Sequence, residues 1–125
     1  MNEIEIIKLH EMLNEANIPH TFTDDMFEGC NFYPSYQIVI KKDDTKLCDV
    51  VYHFSSYGYE EGLLEIMGGL TEEERGLDDV LGYLTADEVF KRFKYCYENN
   101  TSIYIKEVLN NGYTIRKFTN ITKKY

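Results

Sequence analysis

Tyr36-Gln37-Ile38-Val39-Ile40, then Lys41-Lys42-Asp43-Asp44-Thr45-Lys46, then Leu47-Cys48-Asp49-Val50-Val51-Tyr52-His53-Phe54 decides the fold class. Two runs rich in β-branched and aromatic side chains flank a polar hexapeptide, which predicts an antiparallel hairpin. Side chains alternate across a strand, so Cys48, Val50, Tyr52 and Phe54 share the expected core face. Leu47, Asp49, Val51 and His53 fall on the more polar one.

Outward from the hairpin, Ile6, Leu9, Met12, Leu13 and Ala16 recur at helical spacing over residues 2 to 16, and Asn17 and Pro19 stop that helix. Thr21-Phe22-Thr23 suits a short strand. On the other side, Leu63 to Met67 is an apolar run bounded by Gly62 and by Gly68-Gly69, which favours a strand. Thr71 ahead of Glu72-Glu73-Glu74 marks a helix start that Gly76 keeps short. Thr85-Ala86-Asp87-Glu88 is a capping box, and Val89, Phe90, Phe93, Cys96 and Tyr97 follow at helical spacing, predicting a helix over 86–98. Asn110-Asn111-Gly112 predicts a further hairpin within 102–119, with a short helix ending at Gly112 as the alternative. The expectation is one α+β domain spanning 1–125: an antiparallel sheet of four to six strands packed by an N-terminal helix and the 86–98 helix.

Composition narrows function by exclusion. At 125 residues with 43% hydrophobic side chains the chain can build its own core, and disorder is not expected. No apolar run reaches membrane-spanning length. Acids stand at the N-terminus where a secretory signal carries bases, which predicts a cytoplasmic protein. Cys30, Cys48 and Cys96 match no zinc or redox spacing, and His10, His20 and His53 make no paired-ligand motif, so no metal or cofactor is expected.

The net charge is −9, which argues against direct nucleic-acid binding. That charge is segregated. Residues 43–90 hold 13 acids and 2 bases, whereas residues 91–125 hold 2 acids and 8 bases. Acids cap helices and solvate loops in any protein, yet Glu60-Glu61 and Asp78-Asp79 also suit a negative surface facing a basic protein. Self-association, acidic middle to basic end, is the related alternative.

No nucleophile elbow, phosphate loop, dinucleotide turn or paired-histidine metal motif occurs. His53 shares a strand face with Ser55, the sole hint of catalysis. Eleven Tyr accompany no Trp, and Tyr57, Tyr59 and Tyr83 lie beside glycines, where rigid amphipathic rings suit an interface.

The strings Leu63-Leu64-Glu65-Ile66-Met67-Gly68, Leu70-Thr71-Glu72-Glu73 and Val80-Leu81-Gly82-Tyr83-Leu84-Thr85-Ala86-Asp87-Glu88-Val89-Phe90 resemble a group of small proteins encoded in phages and other mobile elements of Gram-positive bacteria. The resemblance covers roughly residues 36–95. It implies an accessory protein of phage or element propagation, and by analogy with small acidic anti-CRISPR and anti-restriction proteins, a modulator of host defence.

Three readings of unequal weight follow. The first is a non-enzymatic accessory protein binding a basic protein partner through Glu60, Glu61, Asp78 and Asp79 with Tyr57, Tyr59 and Tyr83. The second is a nucleotide-binding or sequestering protein, with Tyr57 and Tyr59 stacking a base and Lys91 and Arg92 holding a phosphate. The third and least supported is an enzyme built on His53.

Overall fold

Five antiparallel strands run side by side in chain order, and two longer helices, one from each end of the described chain, cover one face of the sheet. The computed structural model describes residues 4–24 and 35–105. The elements are α1 (Ile4–Glu15), β1 (Thr21–Thr23), β2 (Tyr36–Lys42), β3 (Thr45–Tyr52), β4 (Leu64–Met67), α2 (Glu72–Arg75), β5 (Val80–Leu84) and α3 (Ala86–Asn99). This is the α+β architecture expected. Cys30 and the hairpin or short helix expected around Asn110-Asn111-Gly112 fall outside the described residues.

The apolar stripe of α1 buries Ile6, Leu9 and Leu13, and that of α3 buries Val89, Phe93 and Cys96. Both stripes meet Ile38, Ile40, Cys48, Val50, Tyr52, Leu64 and Ile66 from the sheet. At the N-terminus of α3 the Thr85 hydroxyl accepts the Glu88 N–H and the Glu88 carboxylate accepts the Thr85 N–H, completing the capping box. Glu5 on α1 accepts the Ala86 N–H at 2.6 Å, so one helix caps the other across 81 residues of sequence. Cys48 and Cys96 are free, buried thiols that neighbour each other in the core. That contact, then burial, pushes the Cys48 thiol far up, as suits packing groups.

Three side chains of the hairpin depart from simple alternation. Phe54, expected in the core, is half exposed, because β3 ends at Tyr52 and the chain turns at once: Ser56 N–H bonds to the His53 carbonyl at 2.9 Å. Leu47, expected on the polar face, joins the core, because the register between β2 and β3 skips it at a bulge after Ile40. Asp49 is only 7% exposed: cross-strand neighbours Val39 and Met67 flank it, Gln37 donates to its Oδ2 at 2.9 Å, and its Oδ1 has no partner among the described residues. Around Val80–Leu84 the pattern does not single out a strand, since Gly82 breaks it; pairing to β4 makes it one.

Asn17, at φ 59°, ends α1 and turns the chain toward β1, where a histidine pair ties strand to helix. His20 Nδ1 donates to the Ile18 carbonyl at 2.8 Å, so its Nε2 accepts from His10 Nδ1, also at 2.8 Å. His10 Nε2 is left to accept from Asn14 Nδ2 at 3.5 Å, and the His10 ring stacks on Phe22 at 4.2 Å. Drawn this way, each ring has one donor and one acceptor nitrogen. Burial, then the neighbouring His20, lowers the His10 pKa from its ordinary 6.5, against the opposing pull of Glu11. A depressed folded pKa means that the native state binds fewer protons than the unfolded chain, so this stability is present above pH 6.5 and is lost as pH falls through the depressed value. His53 is shifted the same way by burial. Urea midpoints are therefore expected to drop between neutral and mildly acidic pH, with a shallower slope in His10→Gln. An unchanged slope in that variant would place the acid sensitivity elsewhere.

Candidate functional site

The loop between β3 and β4 is folded back on itself by short-range hydrogen bonds. Ser56 Oγ donates to the His53 carbonyl at 2.8 Å and accepts the His53 N–H at 3.1 Å, and residues Tyr59–Glu61 form one 3-10 turn. The Tyr59 carbonyl accepts the Tyr52 hydroxyl at 3.0 Å, and the two rings pack with centroids 4.8 Å apart. Tyr57 N–H donates to Glu65 Oε1 at 2.8 Å, tying the tip of the loop to β4.

The same loop rests on β5 through a glycine. A Cβ at Gly82 would stand 2.3 Å from Tyr57 Cβ and 3.0 Å from the Tyr57 carbonyl oxygen. Only glycine admits this approach. The register of β4 and β5 slips here, from Leu64 against Leu84 to Ile66 against Leu81, and Tyr83 takes up the difference at φ 62°. A left-handed backbone is costly for an aromatic residue, and such strain concentrates at functional sites. Its result is geometric: Tyr83 is 58% exposed and Tyr57 54%. Tyr83→Gly is expected to change stability by no more than about 1 kcal/mol, because relieving about 1–2 kcal/mol of left-handed strain offsets the glycine's unfolded-state entropy and the lost ring. Urea unfolding measures this; a loss of several kcal/mol would show that the Tyr83 ring carries packing.

Phe54, Tyr57, Tyr59, Tyr83, Glu60 and Glu61 together line a depression of about 200 Å³ at this end of the sheet. Five of the seven residues expected to bind a partner thus converge. Asp78 and Asp79 do not join them: they precede β5, and Asp79 lines a separate cleft with Lys46 and Arg75 near the opposite end of that strand. Lys91 and Arg92 do not approach the tyrosines either. Lys91 is exposed on α3, and Arg92 is 9% exposed, its guanidinium bound to Glu74 Oε1 and Oε2 at 2.8 and 3.0 Å and to the Gly69 carbonyl at 2.9 Å. Its charge is spent inside the fold. Phe54 belongs to the depression although its alternation pointed to the core; the two serines after it are the signal that β3 stops before it.

The expected His53–Ser55 approach is present, with Ser55 Oγ 3.0 Å from His53 Nδ1. That nitrogen also accepts the Ser55 backbone N–H at 3.2 Å, the arrangement of a closed turn. Among the described residues no three His, Cys, Asp or Glu side chains gather as metal ligands, and no helix is long and apolar enough to cross a membrane.

No protein-family model, curated protein or solved structure matches this chain. The functional reading therefore rests on the geometry.

Proposed function

We propose that this is a non-enzymatic binding protein that docks on a protein partner with a basic surface, through Tyr57, Tyr59 and Tyr83 bordered by Glu60 and Glu61. One observation carries the reading: a glycine-seated, strained corner holds two tyrosines more than half exposed beside acids that no basic side chain of the described residues neutralises. Exposed aromatics ringed by charge are the composition of interface anchors and their rims. The resemblance to phage and mobile-element proteins adds the biological class, an accessory protein acting on a host protein, with defence systems as the first candidates. The nucleotide reading draws less support, because the tyrosines border carboxylates and Arg92 is committed to Glu74.

The test is capture of a defined bacterial protein on the immobilised chain, repeated across salt. Raising ionic strength from about 0.1 to 1 M shortens the screening length from about 10 to 3 Å, so capture through a charged rim should weaken steeply. Glu60→Gln with Glu61→Gln is expected to weaken it at low salt, and Asp78→Asn with Asp79→Asn much less. Equal retention by both double variants would defeat the assignment of this surface.

A further inference from the structure

We propose that the depression formed by Tyr57, Tyr59, Tyr83 and Phe54 receives a single cationic side chain, a guanidinium or ammonium presented by the partner protein. This rests on the docking reading above and narrows it to one chemical group. At about 200 Å³ the depression lies below the range of roughly 300–1,000 Å³ in which small-molecule ligands are usually held, and is on the scale of one long side chain. The faces of aromatic rings carry negative potential and attract cations.

The electrostatics point the same way. Glu60 and Glu61 stand at the rim with no side-chain partner among the described residues. No base lines the depression, and the ion pairs among the described residues join Arg92 to Glu74, Lys46 to Asp49, Arg75 to Glu72, Lys94 to Glu98 and Lys8 to Asp87, none of them to Glu60 or Glu61. An anionic group entering here would meet two carboxylates; a cation would meet two carboxylates and several rings. Tyr59 is anchored before any partner arrives, its carbonyl accepting the Tyr52 hydroxyl at 3.0 Å and its ring packed on that of Tyr52 at 4.8 Å.

The experiment is a nuclear magnetic resonance titration of the full chain with the capped tripeptide Gly-Arg-Gly, its neutral citrulline isostere and tetramethylammonium. Saturable shifts confined to Tyr57, Tyr59 and Tyr83 are expected with arginine and absent with citrulline. Tyr57→Leu keeps an apolar surface and removes the ring face, and should weaken arginine binding roughly three- to thirtyfold, the span of a cation over an aromatic face. Glu60→Gln with Glu61→Gln, which leaves every ring in place, should weaken it as well. Equal binding of citrulline, or arginine binding indifferent to both variants, overturns the pocket. Binding of tetramethylammonium in place of the tripeptide overturns the partner side chain in favour of a free organic cation. A polyarginine chain separates the two levels. If it binds through Glu60 and Glu61 while the tripeptide is silent, the pocket falls and the docking surface stands; if neither binds, both fall.

Discussion

Glu74→Ala is expected to destabilise the protein by about 3–5 kcal/mol, the cost of stripping the partner from a buried charge. Glu74 is engaged twice. Its carboxylate accepts the Thr71 N–H at 2.9 Å and closes the capping box of α2, and the same two oxygens bind the Arg92 guanidinium in a fork. Arg92 is 9% exposed and lies 5.1 Å over the Tyr104 ring, so it cannot swing into water when Glu74 is removed. Arg92→Leu with Glu74→Ala removes both charges together, and the double variant should recover most of the loss. Urea unfolding of the two single variants and the double measures the coupling. A loss below about 1 kcal/mol in Glu74→Ala, the ordinary worth of a surface pair, would mean that water reaches the guanidinium.

Gly68→Ala is expected to cost about 2–4 kcal/mol, combining the strain of a left-handed backbone with an overpacked contact. Gly68 sits at φ 81° where the chain leaves β4, and a Cβ there would stand 2.5 Å from the Leu47 carbonyl oxygen and 2.8 Å from Cys48 Cα. Both are backbone atoms of β3, the strand on which α3 packs, so neither can move aside cheaply. Gly76→Ala is the control. Gly76 closes α2 in a right-handed helical conformation, a Cβ there meets nothing nearer than 3.4 Å, and the variant should be more stable by about 0.4–1 kcal/mol through the unfolded chain. If Gly68→Ala and Gly76→Ala shift the urea midpoint alike, the close approach of Gly68 to β3 is not what fixes that turn.

The expected phenotypes separate by location. Loss at Glu74 or Gly68 is loss of fold. Loss at Tyr57, Glu60 or Glu61 is loss of partner with stability nearly intact, since those side chains are exposed or half exposed. A variant set that mixed the two effects would tie the aromatic corner to the core more closely than its exposure suggests.

Local chemistry was legible in the chain because its causes lie within a few residues. The Thr85–Glu88 capping box and the Thr71 helix start are four-residue devices, the hairpin is a period of two broken by a polar turn, α1 is an apolar stripe with stop signals, and α3 is an apolar stripe behind its cap. What lay beyond reach depends on register and on pairing across long separations. Phe54 left the core because β3 ended one turn early, and Leu47 entered it because a bulge shifted one residue. Val80–Leu84 became a strand through its partner.

The sequence by itself therefore determined the α+β class, most of the elements and the acidic bias of the middle region. Only the tertiary structure decided which acids lie together. Glu60 and Glu61 meet Tyr57 and Tyr83 because Gly82 lets a loop rest on a strand twenty-five residues downstream of that loop's first tyrosine. Asp78 and Asp79 are kept apart because β5 extends between them and Tyr83. Arg92, eighteen residues from Glu74, was removed from the surface altogether. Charge is written residue by residue, but a field belongs to the surface on which the fold gathers those residues.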